Sequence, residues 1–154
     1  MSRAFIRESD QDTQALPDRP ISDQPNFVTP QGLRQIEAQT RDLQMQRQAA
    51  RVAEDPATLA RIERDLRYWT QRRASARVVE PTASVAAVRF GVRVTIQLET
   101  GVERTFRLVG EDEADPTHGL LSWVSPLAQS LLGRTEGDTV RFQDSDAEIV
   151  RLEP

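Results

Sequence analysis

Thr29-Pro30-Gln31-Gly32-Leu33-Arg34-Gln35-Ile36 opens the stretch whose spacing decides the fold, and that stretch runs on to about Val79. Leu33, Ile36, Thr40 and Leu43 fall three and four residues apart, as do Leu59, Ile62, Leu66 and Trp69. That spacing places each set on one stripe of a helix. Ala53-Glu54-Asp55-Pro56 separates the two stripes. Each stripe is narrow, so each helix must bury its stripe against the other. The pattern predicts an antiparallel helical arm over residues 29–80, with Glu54 and Asp55 at its tip.

The start signals agree. Thr29-Pro30 and Asp55-Pro56 each pair a capping residue with a proline at the first helical position. Helix one has about 22 residues, roughly 33 Å of rise, and helix two runs from Pro56 to about Val78. The stripe continues through Arg47 and Ala50 on the first helix and Arg73 and Ala76 on the second. Arginine at a seam must snorkel or find a carboxylate. Tyr68 and Trp69 lie toward the base, where the rest of the chain can cover them.

Composition narrows the chemistry. The chain has 154 residues, 38% of them hydrophobic and 29% charged, which suits one domain or two small ones with an exposed arm. It has no cysteine, which excludes disulfides and thiolate metal sites. A lone histidine, His118, argues against a histidine-built metal site or a Ser/His triad. No apolar run approaches the roughly 20 residues that span a bilayer, and the first eight residues lack a signal-peptide core. The expected location is the cytoplasm, with no membrane partner. All 20 basic residues are arginine. Residues 31–80 carry net charge +3 and residues 81–154 carry −5, so a basic arm sits on an acidic body. Such segregation steers association with a charged partner.

Residues 1–28 read as an extended leader. Prolines at 17, 20 and 25 exclude helix and central strand. Phe5, Ile6, Ile21 and Phe27 are its candidate anchors on an otherwise loosely held tail. After Glu80-Pro81 the period changes from 3.6 to 2. Val92–Leu98 alternates as a half-buried strand, Glu99-Thr100-Gly101 turns, and Val102–Val109 returns antiparallel. An acidic loop from Gly110 to Gly119 precedes a short strand, Leu120–Trp123. Ser125-Pro126 caps a short helix that ends at Gly133, and strands Thr139–Phe142 and Ala147–Leu152 follow. Residues 81–154 therefore read as a small antiparallel sheet with one helix, an α+β module.

Three segments resemble the GreA/GreB family of bacterial transcription elongation factors. The leader Ser2-Arg3-Ala4-Phe5 with Leu16-Pro17-Asp18-Arg19-Pro20-Ile21-Ser22 and Asn26-Phe27-Val28-Thr29-Pro30 resembles a GreB-type N-terminus. Val88-Arg89-Phe90-Gly91-Val92-Arg93-Val94-Thr95 resembles the family's first body strand. Arg107-Leu108-Val109-Gly110-Glu111-Asp112-Glu113-Ala114-Asp115 and Ser125-Pro126-Leu127-Ala128 resemble its acidic loop and helix start. The resemblance implies an N-terminal antiparallel coiled coil, a C-terminal domain of FKBP-like fold, and RNA polymerase as partner. The body would dock on the rim of the polymerase's secondary channel through Asp112, Glu113, Asp115, Ser125 and Pro126, and the arm would enter.

The chain departs from the family at the tip. Cleavage-stimulating members carry Asp-x-x-Glu-Asn, whose carboxylates help hold a second Mg²⁺ of the polymerase. Here the turn reads Glu54-Asp55-Pro56-Ala57-Thr58. Aligned on the arm's base, each helix is about two turns short, a deficit of roughly 11–12 Å. Oxygen ligands sit about 2.0–2.1 Å from Mg²⁺, so rotamers cannot close that gap. Asp55 is then a helix cap and Glu54 a solvated turn residue, with a metal-helping role for both as the competing expectation. The chain itself is expected to have no catalytic residue, no metal and no cofactor. The expected function is regulation of elongation by a monomer occupying the channel. The alternatives are stimulation of transcript cleavage through the tip and a coiled-coil assembly module. Contact between the arm's arginines and RNA is left open.

Overall fold

A computed structural model describes residues 15–154. Two helices form the arm: α1, Pro30–Val52, and α2, Pro56–Ser75. Both are capped as their sequences predict. The Thr29 hydroxyl accepts from Gly32 N at 2.9 Å and the Asp55 carboxylate from Thr58 N at 3.1 Å. Ion pairs Arg51–Glu63 and Arg73–Glu37, both at 3.7 Å, fix the helices as antiparallel. Leu43, Ala50, Ile62 and Leu66 meet in the arm's own core, with Leu59 and Trp69 against them. Thr40 is buried in the seam because its hydroxyl donates to Ile36 O at 2.9 Å. The 23 residues of α1 rise about 34 Å, close to the roughly 33 Å read from the sequence.

The arm's base differs from expectation in two ways. Helix α2 ends at Ser75, short of Val78, and the seam residue is Arg72, which is 2% exposed, in place of Arg73. The cause is the leader. From Ala15, beside Pro56 and Leu59, it runs along α2. Arg67 donates to the Asp18 carboxylate at 2.6 Å and to Leu16 O at 3.3 Å. The Arg19 guanidinium lies 3.9 Å from the centre of the Tyr68 ring. The leader's last residues form a strand, β1 (Phe27–Val28), parallel to β2 (Arg77–Val78). Arg77 N donates to Asn26 O and Val79 N to Val28 O, so the chain leaves the helix to pair with the leader. The leader is thus tied down at Leu16, Asp18 and Arg19 and again at Asn26–Val28, while most of the residues between, Ile21 among them, stay exposed. Phe5 and Ile6 lie outside the described residues.

The body holds a five-stranded sheet in the order β5-β4-β3-β7-β6. Its strands are β3 (Arg93–Leu98), β4 (Glu103–Val109), β5 (Leu120–Ser122), β6 (Thr139–Phe142) and β7 (Ser145–Glu153). The β3–β4 hairpin turns where expected. The sheet is mixed, because β5 runs parallel to β4. The ten residues between them are too many for a tight hairpin and carry the chain back along the strand. A short helix, α3 (Pro126–Leu131), lays Ala128 and Leu131 on Val94, Ile96, Leu108, Val140 and Ile149, all buried. Trp123 is half-buried and meets Phe27 edge-on at 5.3 Å, so it belongs to the joint with the leader and not to this core.

Candidate functional site

The acidic loop after β4 turns back toward the arm, and its carboxylates are largely consumed there. Glu113 is buried, and both its oxygens lie on the Thr29 hydroxyl, at 2.6 and 3.0 Å. That hydroxyl also caps α1, so a negative charge sits at the helix N-terminus, where the peptide dipoles favour it. Gly32 permits the approach, since a Cβ there would stand 2.8 Å from Glu113 Oε2. Asp112 accepts from the Tyr68 hydroxyl and, at 2.6 Å, from Arg72 Nε. The rest of the Arg72 fork reaches Asn26 Oδ1 at 2.7 Å and lies 3.6 Å from Glu111. Asn26 returns its amide to Arg72 O at 2.7 Å, taking up a last-turn carbonyl of α2. Burial first, and the Asp112 carboxylate second, push the Tyr68 phenol up to about 12. Leader, arm and body therefore converge on one polar joint. Gly110 lets the body close on β1, because a Cβ there would meet Phe27 O at 2.5 Å.

The other expected site residues lie apart from this joint. Asp115 is half-buried and accepts from Thr117 Oγ1 and lies against His118 Nδ1, both at 2.6 Å. The Thr117 bond, then the His118 bond, hold its carboxyl below the usual range. Ser125 caps α3 by accepting from Ala128 N at 3.3 Å, and Pro126 beside it is exposed. Pro126 and the Asp115 side chain are open to solvent and Ser125 is partly so, whereas Asp112 and Glu113 bond to residues of the arm.

At the tip, Asp55 is exposed and committed to its cap. Hydrogen bonds from the Thr58 side chain and backbone hold its carboxyl below the ordinary value. Glu54 is exposed with φ 53°, a left-handed turn conformation. Its backbone N donates to Arg51 O, and its carboxylate has no hydrogen bond among the described residues. No group of three or more potential metal-ligating side chains comes together among the described residues. Arg41, Arg47 and Arg61 make no ion pair among them either, which leaves the arm's surface basic. No helix among them is long and apolar enough to cross a membrane.

Sequence reasoning missed the roles of Asn26, Tyr68 and Arg72. Arg72 lies three residues after Trp69 on the apolar stripe, and that gap was the available signal for an arginine turned inward.

Residues 83–153 match the family model described as transcription elongation factor, GreA/GreB, C-term. Among curated relatives, the chain is 52% identical over 52 residues to transcription elongation factor GreA of Hyphomonas neptunium, covering 33% of each chain. It is 47% identical over 62 residues to GreA of Cereibacter sphaeroides, covering 40% of this chain and 41% of the relative. The match to GreA of Vibrio parahaemolyticus is 45% over 71 residues, 43% of this chain and 45% of the relative. The chain thus spans less than half the length of the curated relatives it matches. Among solved structures, GreA factor homolog 1 of Thermus thermophilus aligns at 15% identity over 85% of this chain and all of that one, with a TM-score of 0.42.

Proposed function

We propose, from a chain that belongs through residues 83–153 to the GreA/GreB family of transcription elongation factors, that the protein binds RNA polymerase and regulates elongation by occupying the secondary channel. The body docks through the solvent-open groups near Asp115, Ser125 and Pro126, and the basic arm enters. Asp112 and Glu113 serve docking indirectly, by fixing the angle at which the arm leaves the body. In this reading the arm is an antiparallel coiled coil and the body an FKBP-like domain, and the protein acts in the cytoplasm as a monomer. It is not itself an enzyme and holds no metal or cofactor of its own.

One observation carries the preference for occupancy over catalysis. Asp55 Oδ1 is engaged as the cap of α2, so Glu54 is the tip carboxylate with both oxygens free of hydrogen bonds among the described residues, where a shared Mg²⁺ needs several oxygen ligands. The unpartnered Glu54 carboxylate favours the second reading, stimulation of transcript cleavage by the polymerase with Glu54 and Asp55 assisting its Mg²⁺. Binding to purified RNA polymerase tests the first part. Retention at micromolar concentration, weakened by Pro126→Arg on the body, is expected. No retention would end the proposal. Falling affinity with rising salt would mark phosphate contacts by the arm's arginines.

A further inference from the structure

A second site lies along the arm, near its tip. The leader runs parallel to α2, from tip to base as its numbering rises. Arg67 donates to Leu16 O and Asp18, Arg19 lies 3.6 Å from Asp65, and Asn26 donates to Arg72 O. Followed backwards, the leader therefore heads for the tip. It arrives there at Ala15, which lines a cleft of about 310 Å³ with Pro56, Leu59 and Ala60 of the first turns of α2. Glu63 and Arg67 close this cleft, and both are engaged, Glu63 with Arg51 at 3.7 Å and Arg67 with Asp18 at 2.6 Å. The same two residues line the next groove along the arm. There Arg47 joins them, without a carboxylate in ion-pair distance among the described residues. An apolar cleft and a free cation thus stand side by side where residues 1–14 attach.

We infer that residues 1–14 dock on their own arm, with Phe5 and Ile6 in the cleft and the acids Glu8, Asp10 and Asp12 against Arg47. Phe5 and Ile6 are an adjacent apolar pair. The nine residues from Ile6 to Ala15 span up to about 30 Å, ample for a return to a cleft that Ala15 itself lines. Residues 8–12 hold three acids and no basic residue, whereas residues 31–80 hold ten arginines and seven acids, net +3. Asp12 stands three residues from Ala15, a reach of up to about 10 Å, which spans the step to the next groove. Opposite charges on one tether meet at high effective concentration. The docked segment covers Arg47 and competes with any polyanion that approaches the arm. This inference needs no polymerase and stands or falls apart from the proposed function.

The initial rate of tryptic cleavage after Arg7 in the full chain tests it, each form being compared with its own free peptide of residues 1–14. Cleavage in the chain is expected to be at least about tenfold slower than in the peptide, since it proceeds through the undocked fraction, and independent of protein concentration. Phe5→Ser with Ile6→Ser should restore the peptide's rate. So should Ala60→Glu, which sets a carboxylate in the cleft, with α1 and α2 still uncut. The double variant keeps every charge and every residue of the arm, so it decides the matter if Ala60→Glu disturbs α2. It should also bind inorganic polyphosphate at least about threefold more tightly than the parent, because Arg47 is uncovered. Peptide-like cleavage of the parent, protection that outlasts the double variant, protection that falls on dilution and so belongs to a second copy, or unchanged polyphosphate binding would each overturn the inference.

Discussion

Replacing Arg72 by methionine tests the joint that sets the arm on the body. Its side chain is 2% exposed and holds Asp112 at 2.6 Å and Asn26 at 2.7 Å, with Glu111 at 3.6 Å. Methionine fills similar volume and removes every donor. Asp112, 10% exposed, keeps only Tyr68, and Asn26 Oδ1 loses its donor. Breaking a buried pair from one side costs about 3–5 kcal/mol. Against the roughly 5–15 kcal/mol that holds a domain together, that is a large share. Arg72→Lys keeps the charge without the planar fork and should lose less. Urea unfolding followed by tryptophan fluorescence is the assay. The chain has two tryptophans, and both report on this region: Trp69 beside Tyr68 on α2, and Trp123 against Phe27. A loss below about 1 kcal/mol for Arg72→Met would refute the reasoning, since it would place the guanidinium outside the folding free energy.

Gly110→Ala should destabilise by about 1–3 kcal/mol, because the new Cβ meets backbone at Phe27 O; unchanged thermal melting would show that the leader does not pack there. Tyr68 is the chain's single tyrosine, so phenolate absorbance reads it directly. Its folded-state ionisation is expected near 12, against about 10 once unfolded. The folded value is raised, so the stability tied to it is full below pH 10 and is lost as pH climbs toward 12. Discounted for solvent screening, that share is on the order of 1–2 kcal/mol. Tyr68→Phe should flatten this dependence, and a folded midpoint near 10 would contradict the burial. At the tip, Asp55→Asn should melt like the parent because asparagine caps equally well, while Asp55→Ala should melt lower. Equal melting of both variants would mean that the cap is not what Asp55 supplies.

The helices were legible because their signals are local. Thr29-Pro30, Asp55-Pro56 and Ser125-Pro126 each marked a start where the chain caps a helix, and the three-and-four spacing located the seam at Ile36, Leu43, Ile62 and Leu66. The hairpin of β3 and β4 followed from strict alternation around Gly101. What stayed hidden depends on distant partners. Strands of two residues, such as Phe27–Val28 and Arg77–Val78, carry no period, and their pairing is fixed by Asn26 and Arg72, which lie 46 residues apart. A three-residue strand such as Leu120–Ser122 carries no direction of its own, so its parallel pairing to β4 was unreadable. The acidic loop looked the same whether its carboxylates met a partner or the arm. Only the fold shows Asp112 and Glu113 bonded to the arm, with Asp115 and Pro126 open to solvent.

The most direct test of the central claim is transcript cleavage in a backtracked RNA polymerase complex at saturating protein. Bound protein that releases no more short 3′ fragments than the polymerase alone is the result predicted for a short arm whose tip aspartate serves as a helix cap. Prompt fragment release, abolished by Glu54→Ala with Asp55→Ala, would contradict it.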